Sequence, residues 1–365
     1  MKLTRRAFGR SAAVVLPTLV PLVRAQEPST SGRRLRYCIV GLGRISMQHF
    51  MPACKMSQNS QVTALVSGHR DKAEKMAADY NVPAKNIYSY ENYDEIAGNK
   101  DIDAVYVALP NSMHAEYTIR AANAGKHVLC EKPMATTVKD SEAMIRACKA
   151  ANRKLLIAYR CHYEPTNLRA IKMIRDGMLG SVQTIETANG FNIRPGEWRL
   201  DRKLAGGGPL LDVGIYSLNA CRYLTGEEPE HIEAYCSVID KDGRFQGVEE
   251  NVSWTMRFPS GIVAACTTSY GARMNGSFTV NGARGRLHVE PAFAYQGLHL
   301  KAEIEGQAPI DEPNPNQDPS QFVAEADYFA QCVFEDKQPR SSGEEGLRDT
   351  QCMAEIYKSC GRSMG

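Results

Sequence analysis

The chain has 365 residues, of which 43% are hydrophobic and 23% are charged, and its formal net charge is +3. This length and composition are typical of a globular protein with two domains. Acidic and basic residues are interspersed without a basic stripe, which argues against nucleic acid as a partner. No apolar run reaches the roughly 18 residues of a membrane-spanning helix, which argues against stable membrane association.

Residues 1–25 have the pattern of an export signal. The paired Arg5 and Arg6 form a charged head, residues 11–22 are small and apolar, and Ala25 ends a small-residue cleavage site. The arginine pair predicts the twin-arginine export machinery as a partner and the periplasm as the destination. That route carries folded proteins, so a cofactor acquired in the cytoplasm could be exported with the chain. The alternative is a chance basic start before a helix, which Pro17 and Pro21 disfavour.

Residues 26–34 form a polar linker or arm, and residues 35–160 then alternate between strand and helix patterns. The predicted strands are 36–40, 61–66, 103–110, 127–133 and 154–159. The predicted helices are 44–56, 71–80, 113–124 and 138–151. Alternating β and α elements predict a doubly wound parallel sheet, that is, an α/β Rossmann domain.

Residues 161–365 have a different pattern, typical of an α+β domain with a large, open, mostly antiparallel sheet. A helix at 165–176 precedes six strand-rich segments: 181–191, 231–239, 251–258, 261–270, 276–280 and 285–290. Short turns are predicted at 259–261 and 281–282, and a Pro-rich loop at 309–319. Two terminal helices, 321–335 and 344–361, can pack back on the Rossmann domain. A large sheet with one apolar face to cover predicts a homo-oligomer, dimer or tetramer.

The chain has 11 cysteines, an odd number, without a C-x-x-C motif. Cys38, Cys130, Cys148 and Cys266 lie in apolar strand or helix patterns, which is typical of small buried hydrophobic residues. We therefore expect neither a disulfide framework nor a metal site.

A glycine-rich turn follows the first predicted strand and begins a helix. Gly41 allows the tight turn, Gly43 lets the backbone approach a pyrophosphate, and Ser46 replaces the third glycine of the usual fingerprint. The position of the motif between strand and helix predicts a dinucleotide site. A glycine-rich turn without a ligand is the alternative.

The end of the second strand indicates which dinucleotide binds. NAD sites usually have an acidic residue there, but this chain has Ser67, Gly68, His69 and Arg70, with Lys72 close behind. A hydroxyl and cationic donors suit a 2′-phosphate, so the sequence predicts NADP. Alternatively, Arg70 and Lys72 are solvated charges at the start of a helix.

Two further segments carry residues typical of catalysis. Glu131 and Lys132 end the strand at 127–133, at the edge where doubly wound sheets place their chemistry. Asp212 and Tyr216 follow a glycine-rich segment and are four residues apart, which puts both on one face of a helix. A helix cap and a core tyrosine are the structural alternative for this pair.

Glu-Lys-Pro after a Rossmann strand, followed by Asp-x-Gly-x-(His or Tyr), resembles the glucose-fructose oxidoreductase, inositol dehydrogenase and rhizopine-catabolism (Gfo/Idh/MocA) family, including its aldose-aldose oxidoreductase-like members. Most members have His at the last position, whereas Tyr216 matches the glucose-fructose oxidoreductases. The resemblance covers residues 36–360. The segments that carry it are ALVSG (64–68), LPNSMHAE (109–116), AGKHVLCEKPMAT (124–136), YRCHY (159–163), WRL (198–200), LAGGG (204–208) and SGEEG (342–346).

The resemblance implies roles for individual residues. Lys132 and Tyr216 are the implied catalytic pair, with Asp212 beside them, and these three together with Arg160 contact the substrate. NADP(H) is implied to be tightly bound. Its implied contacts are Gly41, Leu42, Gly43, Arg44, Ile45, Ser67, Gly68, Lys72, Tyr90, Leu109, Pro110, Asn111, His114, Glu131, Lys132, Arg160, Trp198, Arg199 and Tyr295. Glucose-fructose oxidoreductases have a longer N-terminal arm that covers a neighbour's cofactor. Here residues 26–35 are the only arm between the predicted cleavage site and the first strand, so the same tetramer and the same covering of the cofactor are left open.

The chemistry of these residues agrees with that assignment. Oxidation of a sugar hemiacetal removes a hydride from C1 and a proton from its hydroxyl, and the base must lie within hydrogen-bond reach. Tyr216 is the expected proton acceptor, with its pKa lowered by the Lys132 ammonium, and Asp212 orients the sugar or the lysine. His114 and His162 are expected to be satisfied wall or core residues.

The sequence therefore predicts a periplasmic NADP-dependent sugar oxidoreductase. It would oxidise an aldose to its lactone and pass the hydride to a second sugar, a ketose or an aldose, which is reduced to an alditol. Three alternatives remain open: an ordinary NADP-dependent aldose dehydrogenase, a nicotinamide-dependent glycosidase of the same fold, and a non-catalytic sugar-binding protein.

Overall fold

The computed structural model describes residues 32–365, so the predicted export signal lies outside the described residues. Within this range the predicted fold class is confirmed: a six-stranded parallel sheet is followed by a separate eight-stranded, mostly antiparallel sheet. Across residues 32–365, we find no helix with the length and apolarity that a membrane span requires.

The first sheet has the strand order β3-β2-β1-β4-β5-β6, with all strands parallel. The strands are β1 (Leu35–Val40), β2 (Ser60–Val66), β3 (Ile87–Tyr88), β4 (Ala104–Val107), β5 (His127–Glu131) and β6 (Leu155–Ala158). Only β3, two residues long, has no counterpart among the predicted strands. The order reverses between β1 and β4, and in such sheets ligands bind at the carboxyl ends beside this reversal.

Residues of β1 show why both faces of this sheet are covered. Cys38 and Val40 belong to one buried cluster, whereas Tyr37 and Ile39 belong to another on the opposite face. The helices of the domain are α1 (Met51–Met56), α2 (Arg70–Tyr80), α3 (His114–Asn123) and α4 (Val138–Ala150). A π-helical turn, Ser46–Phe50, leads directly into α1.

The second sheet has the order β14-β13-β12-β11-β7-β10-β9-β8. Its strands are β7 (Val182–Gly190), β8 (His231–Ser237), β9 (Asn251–Arg257), β10 (Val263–Ser269), β11 (Ser277–Gly282), β12 (Gly285–Val289), β13 (His299–Ile304) and β14 (Ile310–Pro313). Neighbouring strands are antiparallel except for β7 and β10, which run parallel with Gly190 opposite Ser269.

Two details of this sheet differ from the sequence prediction. Strands β13 and β14 were not expected, and β14 lies inside the segment 309–319 that we predicted as a loop. Asn281 and Gly282 pair within β11, so the turn falls on residues 283–284 instead. A Pro-rich segment can still form an edge strand, because one side of such a strand needs no donor.

Five helices follow the first domain along the chain: α5 (Pro165–Arg175), α6 (Arg202–Ala205), α7 (Ile215–Thr225), α8 (Ser320–Phe334) and α9 (Gly343–Ser359). Helix α7 packs on β7 and β10, and α9 packs on β8, on α7 and also on α4 of the first domain. Helix α8 lies against α1 and β2. The last two helices therefore join the two domains.

The other face of the second sheet has no helix against it in residues 32–365, but it is not the apolar surface we expected. A broad depression of about 560 Å³ on this face is lined mainly by small polar and acidic side chains, among them Glu186, Glu233, Ser253 and Thr267. Tyr235 is the main apolar feature and is 82% exposed.

The cysteines follow the prediction with one exception. Cys38, Cys130, Cys148 and Cys266 are buried and free, as expected. Cys236 in β8 and Cys360 after α9 are joined in a disulfide, which the sequence analysis did not predict. Their separation of 124 residues explains this, because only the packing of α9 on β8 brings them together.

Candidate active site

The glycine-rich turn after β1 is built for close approach of a ligand. Gly41 has a φ of +94°, and a Cβ there would lie 2.4 Å from the Ala108 carbonyl oxygen, so only glycine fits. A Cβ at Gly43 would meet nothing within 4 Å, since its backbone borders open space. The Ser46 hydroxyl donates to the Gly41 carbonyl over 2.6 Å and holds the turn in place of the third glycine.

The residues at the end of β2 gather beside this turn. Lys72 Nζ donates to the Leu42 carbonyl over 2.5 Å, which ties α2 to the glycine-rich turn. A Cβ at Gly68 would lie 3.3 Å from the Tyr90 ring, so the end of β2 packs against Tyr90. Arg70 instead pairs with Glu74 on the exposed side of α2. This agrees with the alternative in which Arg70 is a solvated charge at the start of a helix.

Lys132, Asp212 and Tyr216 come together at the carboxyl end of β5. Lys132 Nζ donates to the Asp212 main-chain carbonyl over 2.7 Å and lies 3.4 Å from the Asp212 carboxylate. The same nitrogen is 4.9 Å from the centre of the Tyr216 ring. A cation, a carboxylate and a phenol thus share one half-buried space beside the glycine-rich turn.

Local helix geometry explains how Asp212 and Tyr216 share a face. Asp212 lies in a π-helical turn, Leu210–Gly214, and Tyr216 lies in the first turn of α7. The wider turn keeps residues four apart on one side, as the spacing predicted. Asn189 in β7 donates to the Val213 carbonyl over 3.1 Å, which anchors this turn to the second sheet.

The Asp212 carboxylate has two partners besides Lys132. Tyr270 donates its hydroxyl to Asp212 Oδ2 over 2.8 Å, and Arg199 Nε lies 3.0 Å from the same oxygen. Burial acts to raise the pKa of Asp212, but the charges of Lys132 and Arg199 outweigh it and keep the pKa below its ordinary value. Asp212 is therefore an ionised group at neutral pH.

Arg160 lies between the rings of Tyr216 and Tyr295, with its guanidinium carbon 5.0 Å and 4.5 Å from their centres. It is held there by the carbonyls of Phe293 and Ala294 and by the side chain of Gln321. Its Nε is buried and has no hydrogen-bond partner among the described residues. The charge of Arg160 acts on the Tyr216 hydroxyl, which places this cation beside the cluster of Lys132, Asp212 and Tyr216.

The surroundings of Tyr216 correct one expectation. Burial raises the pKa of its hydroxyl above the ordinary value, and Arg160 is the cation that opposes this rise most. We expected Lys132 to lower the pKa, but its ammonium lies against the ring and is bonded to Asp212. In the described surroundings the phenol is therefore neutral at pH 7.

Other predicted cofactor contacts form the walls of the cleft. His114 is fully buried, and its ring nitrogens lie 2.9 Å and 2.8 Å from the carbonyls of Leu109 and Pro133. His114 therefore joins the two loops from behind the cleft wall, and burial lowers its pKa. Asn111 donates to the Ala205 carbonyl over 2.9 Å. Glu131 accepts a hydrogen bond from Tyr106, and burial raises its pKa.

The segment 191–201 of the second domain forms the far side of the cleft. Arg199 lies 4.8 Å from the centre of the Trp198 ring. Glu197 lies 3.7 Å from Arg44 of the glycine-rich turn, so this segment reaches the first domain. The tight turn at Gly41 and the open space at Gly43 fit the pyrophosphate of a nicotinamide dinucleotide at the carboxyl end of β1.

Three residues of the site were not found from the sequence. Tyr270 lies at the end of the strand predicted at 261–270. That position indicates a site residue only if this strand runs parallel to the one at 181–191, so that both end at the same edge of the sheet. Gln321 holds Arg160, and Asn189 holds the π-helical turn at Val213. Nothing in the sequence around either residue marks it as part of a site.

Comparison with known proteins places these features in context. Residues 35–159 match the family model described as "Oxidoreductase family, NAD-binding Rossmann fold", and residues 167–288 match the GFO/IDH/MocA C-terminal domain. The chain is 32% identical over 349 residues to D-xylose 1-dehydrogenase [NADP(+)] of Haloarcula marismortui, covering 92% of this chain and 93% of the relative.

Solved structures give the same picture. An aldose-aldose oxidoreductase from Caulobacter crescentus, complexed with glycerol, is 45% identical with a TM-score of 0.86, covering 91% of this chain and 99% of that one. A 3-ketoreductase from Actinomadura kijaniata, solved with NADP, is 24% identical with a TM-score of 0.79, covering 89% of this chain and 98% of that one, which is a likeness of fold.

Proposed function

The chain belongs to the GFO/IDH/MocA oxidoreductase family, and we propose that it is an NADP-dependent aldose oxidoreductase that couples oxidation of one sugar to reduction of another. The observation that carries this proposal is the cluster of Lys132, Asp212 and Tyr216 beside the glycine-rich turn. The likeness to an aldose-aldose oxidoreductase and to a xylose dehydrogenase supports sugars as substrates. The first sugar becomes a lactone, and the second becomes an alditol.

The residues divide the chemistry among them. Bound NADP(H) would supply the hydride acceptor for the first sugar and the hydride donor for the second. Tyr216 accepts the proton of the sugar hydroxyl in its phenolate form, which the charge of Arg160 stabilises. Its neutral hydroxyl, the form that burial favours, then donates a proton to the second sugar. Asp212, ionised and held by three donors, orients Lys132 and accepts hydrogen bonds from sugar hydroxyls.

We propose that the cofactor is NADP and that it stays bound between turnovers. Lys72 is bonded to the Leu42 carbonyl of the turn, Ser67 directly follows β2, and residues 67–70 contain no acidic side chain. The NADP dependence of the xylose dehydrogenase relative supports this choice. An exported enzyme finds no supply of free NADP, which favours a cofactor that is regenerated without leaving.

Replacing Ser67 with aspartate should reverse the cofactor preference. A carboxylate at this strand end repels a 2′-phosphate and bonds the ribose hydroxyls of NAD, so we expect NADP affinity to fall by roughly tenfold or more. Fluorescence titration of cofactor-stripped protein with NADPH and NADH measures both constants. Ser181→Asp, at an exposed residue whose hydroxyl bonds Gln183 at the surface, is the control. An unchanged preference in Ser67→Asp would show that this strand end does not select the dinucleotide.

A single-turnover experiment tests the coupled reaction. Aldose alone should raise the near-ultraviolet absorbance of the protein-bound nicotinamide once, and a carbonyl sugar added afterwards should reverse it without free nucleotide. Steady-state kinetics should be ping-pong. Strict dependence on added NADP would instead identify an ordinary aldose dehydrogenase, and hydrolysis of p-nitrophenyl glycosides a nicotinamide-dependent glycosidase. If no turnover occurred with any of these substrates, the remaining interpretation would be a non-catalytic sugar-binding protein.

Export and assembly are part of the same proposal. We propose that residues 1–25 direct twin-arginine export to the periplasm, and normal periplasmic activity of an Arg5→Lys, Arg6→Lys variant would exclude this. We also propose at least a dimer through the uncovered face of the second sheet, where small side chains let a second copy approach closely. A monomeric mass by light scattering at micromolar concentration would refute it.

A further inference from the structure

Cys236 and Cys360 are the two cysteines of residues 32–365 that form a disulfide. Cys236 is in the edge strand β8 and Cys360 directly follows α9. The other nine cysteines of residues 32–365 are free and buried. Burial raises the pKa of several of them, for example Cys352 to about 12, which keeps their thiols unreactive.

The last turns of α9 contact the glycine-rich segment that precedes Asp212. Tyr357 donates to the buried Glu249 carboxylate over 2.7 Å, and the same oxygen accepts the Gly208 amide over 3.1 Å. A Cβ at Gly207 would lie 2.2 Å from the Tyr357 hydroxyl. The segment 206–208 is thus shaped around α9 and has no room to move toward it.

The residues after Cys360 hold the same segment from a second side. The Gly365 amide donates to the Gly206 carbonyl over 2.9 Å, and Arg202 donates to the Ser363 carbonyl over 2.7 Å. Before the disulfide, Ser359 accepts the Ala234 amide of β8 over 2.8 Å. Cys360 is the junction between α9, the sheet edge and the residues that bind Gly206.

The position of segment 206–208 sets the position of Asp212. The π-helical turn that carries Asp212 begins at Leu210, two residues after Gly208. Lys132 bonds both the main-chain carbonyl and the carboxylate of Asp212, so a shift of this turn alters both contacts. A displacement of about 1 Å at such a site can lower a rate by roughly 10²-fold.

We propose that Cys236 and Cys360 are a maturation site whose oxidation fixes the glycine-rich segment and, through it, Asp212. One thiol attacks an external disulfide, carried by a protein or a small thiol of an oxidising compartment, and forms a mixed disulfide. The second thiol displaces it, so two thiols lose two protons and two electrons while the external disulfide becomes two thiols. The effect on rate rests on the proposed roles of Asp212 and of export, whereas the effect on the segment does not.

The first test measures structure without activity. Mass spectrometry after thiol alkylation of the denatured protein should count nine free cysteines before reduction and eleven after it. Reduction should speed amide hydrogen exchange of residues 206–208 by about tenfold, and leave exchange in β1 unchanged. Equal exchange in both redox states would overturn the proposal. This measurement decides the matter even if the protein oxidises no aldose.

The second test uses variants. Reduction of the wild type, and the Cys236→Ser, Cys360→Ser double variant, should each lower kcat by about tenfold with little change in KM. Tyr357→Phe keeps the disulfide but removes the contact to Glu249, so it should weaken the response to reductant. Cys352→Ser, which alters a free cysteine of the same helix, should respond to reductant like the wild type. If reductant lowered kcat of the double variant as much as that of the wild type, the effect would not come from this disulfide. If the double variant had the kcat of the wild type, the disulfide would be a structural crosslink without influence on Asp212.

Discussion

Replacing Tyr216 with phenylalanine should slow oxidation of the first sugar and reduction of the second together, each by about 10²-fold or more. The variant keeps the ring that contacts Lys132 and Arg160 and removes only the hydroxyl that moves the proton. In the proposed mechanism both half-reactions use this hydroxyl, so both rates should fall. Single-turnover absorbance, with aldose alone and then with acceptor sugar, measures the two rates separately.

Tyr223 offers a matched control on the same helix. Its hydroxyl donates to Asn167 over 2.8 Å, away from the site, so Tyr223→Phe should leave both rates near those of the wild type. Near-normal rates in Tyr216→Phe would show that another group carries the proton. Loss of one half-reaction alone would mean that separate groups serve the two directions.

Replacing Lys132 with alanine should lower kcat by about 10²-fold or more, because the variant loses the cation that bonds Asp212 and lies against the Tyr216 ring. It should also change the pH dependence. Lys132 lowers the pKa of Asp212, and removing it leaves burial opposed mainly by Arg199, so that pKa should rise. The acid limb of the kcat profile should therefore move to higher pH.

Lys139 is the matched control for that variant. It is exposed on α4, and Lys139→Ala should change neither the rate nor the acid limb. If Lys132→Ala lowered the rate but left the acid limb in place, Asp212 would not be the group that titrates there. An unchanged rate would remove Lys132 from the catalytic cluster altogether.

The sequence predicted the parts of this molecule that depend on local pattern. The turn at Gly41 needs a positive φ and close approach, and only glycine satisfies both. Alternating strand and helix patterns predict a parallel sheet, and the end of a strand such as β5 marks where Lys132 must lie. These features arise within short stretches of chain, so they can be read without knowledge of the tertiary structure.

Features that depend on distant contacts could not be read this way. Tyr270 reaches Asp212 because β10 is parallel to β7, and alternation of side chains does not reveal strand direction. Burial raises the pKa of Tyr216, and the burial of its side chain depends on Arg160 and on the segment around Phe293, which are distant in the sequence. The disulfide likewise exists only because α9 packs on β8.

The parallel pairing of β7 and β10 has a consequence for how this scaffold can change. Because both strands end at the same edge, the segments that follow Gly190 and Ser269 enter the cleft side by side. Lys132 and Tyr216 come from β5 and α7, on separate parts of the chain. Insertions or substitutions in the two segments can therefore alter which sugar is accepted while Lys132 and Tyr216 stay in place. Substrate range can accordingly evolve more readily than the arrangement of the reacting groups.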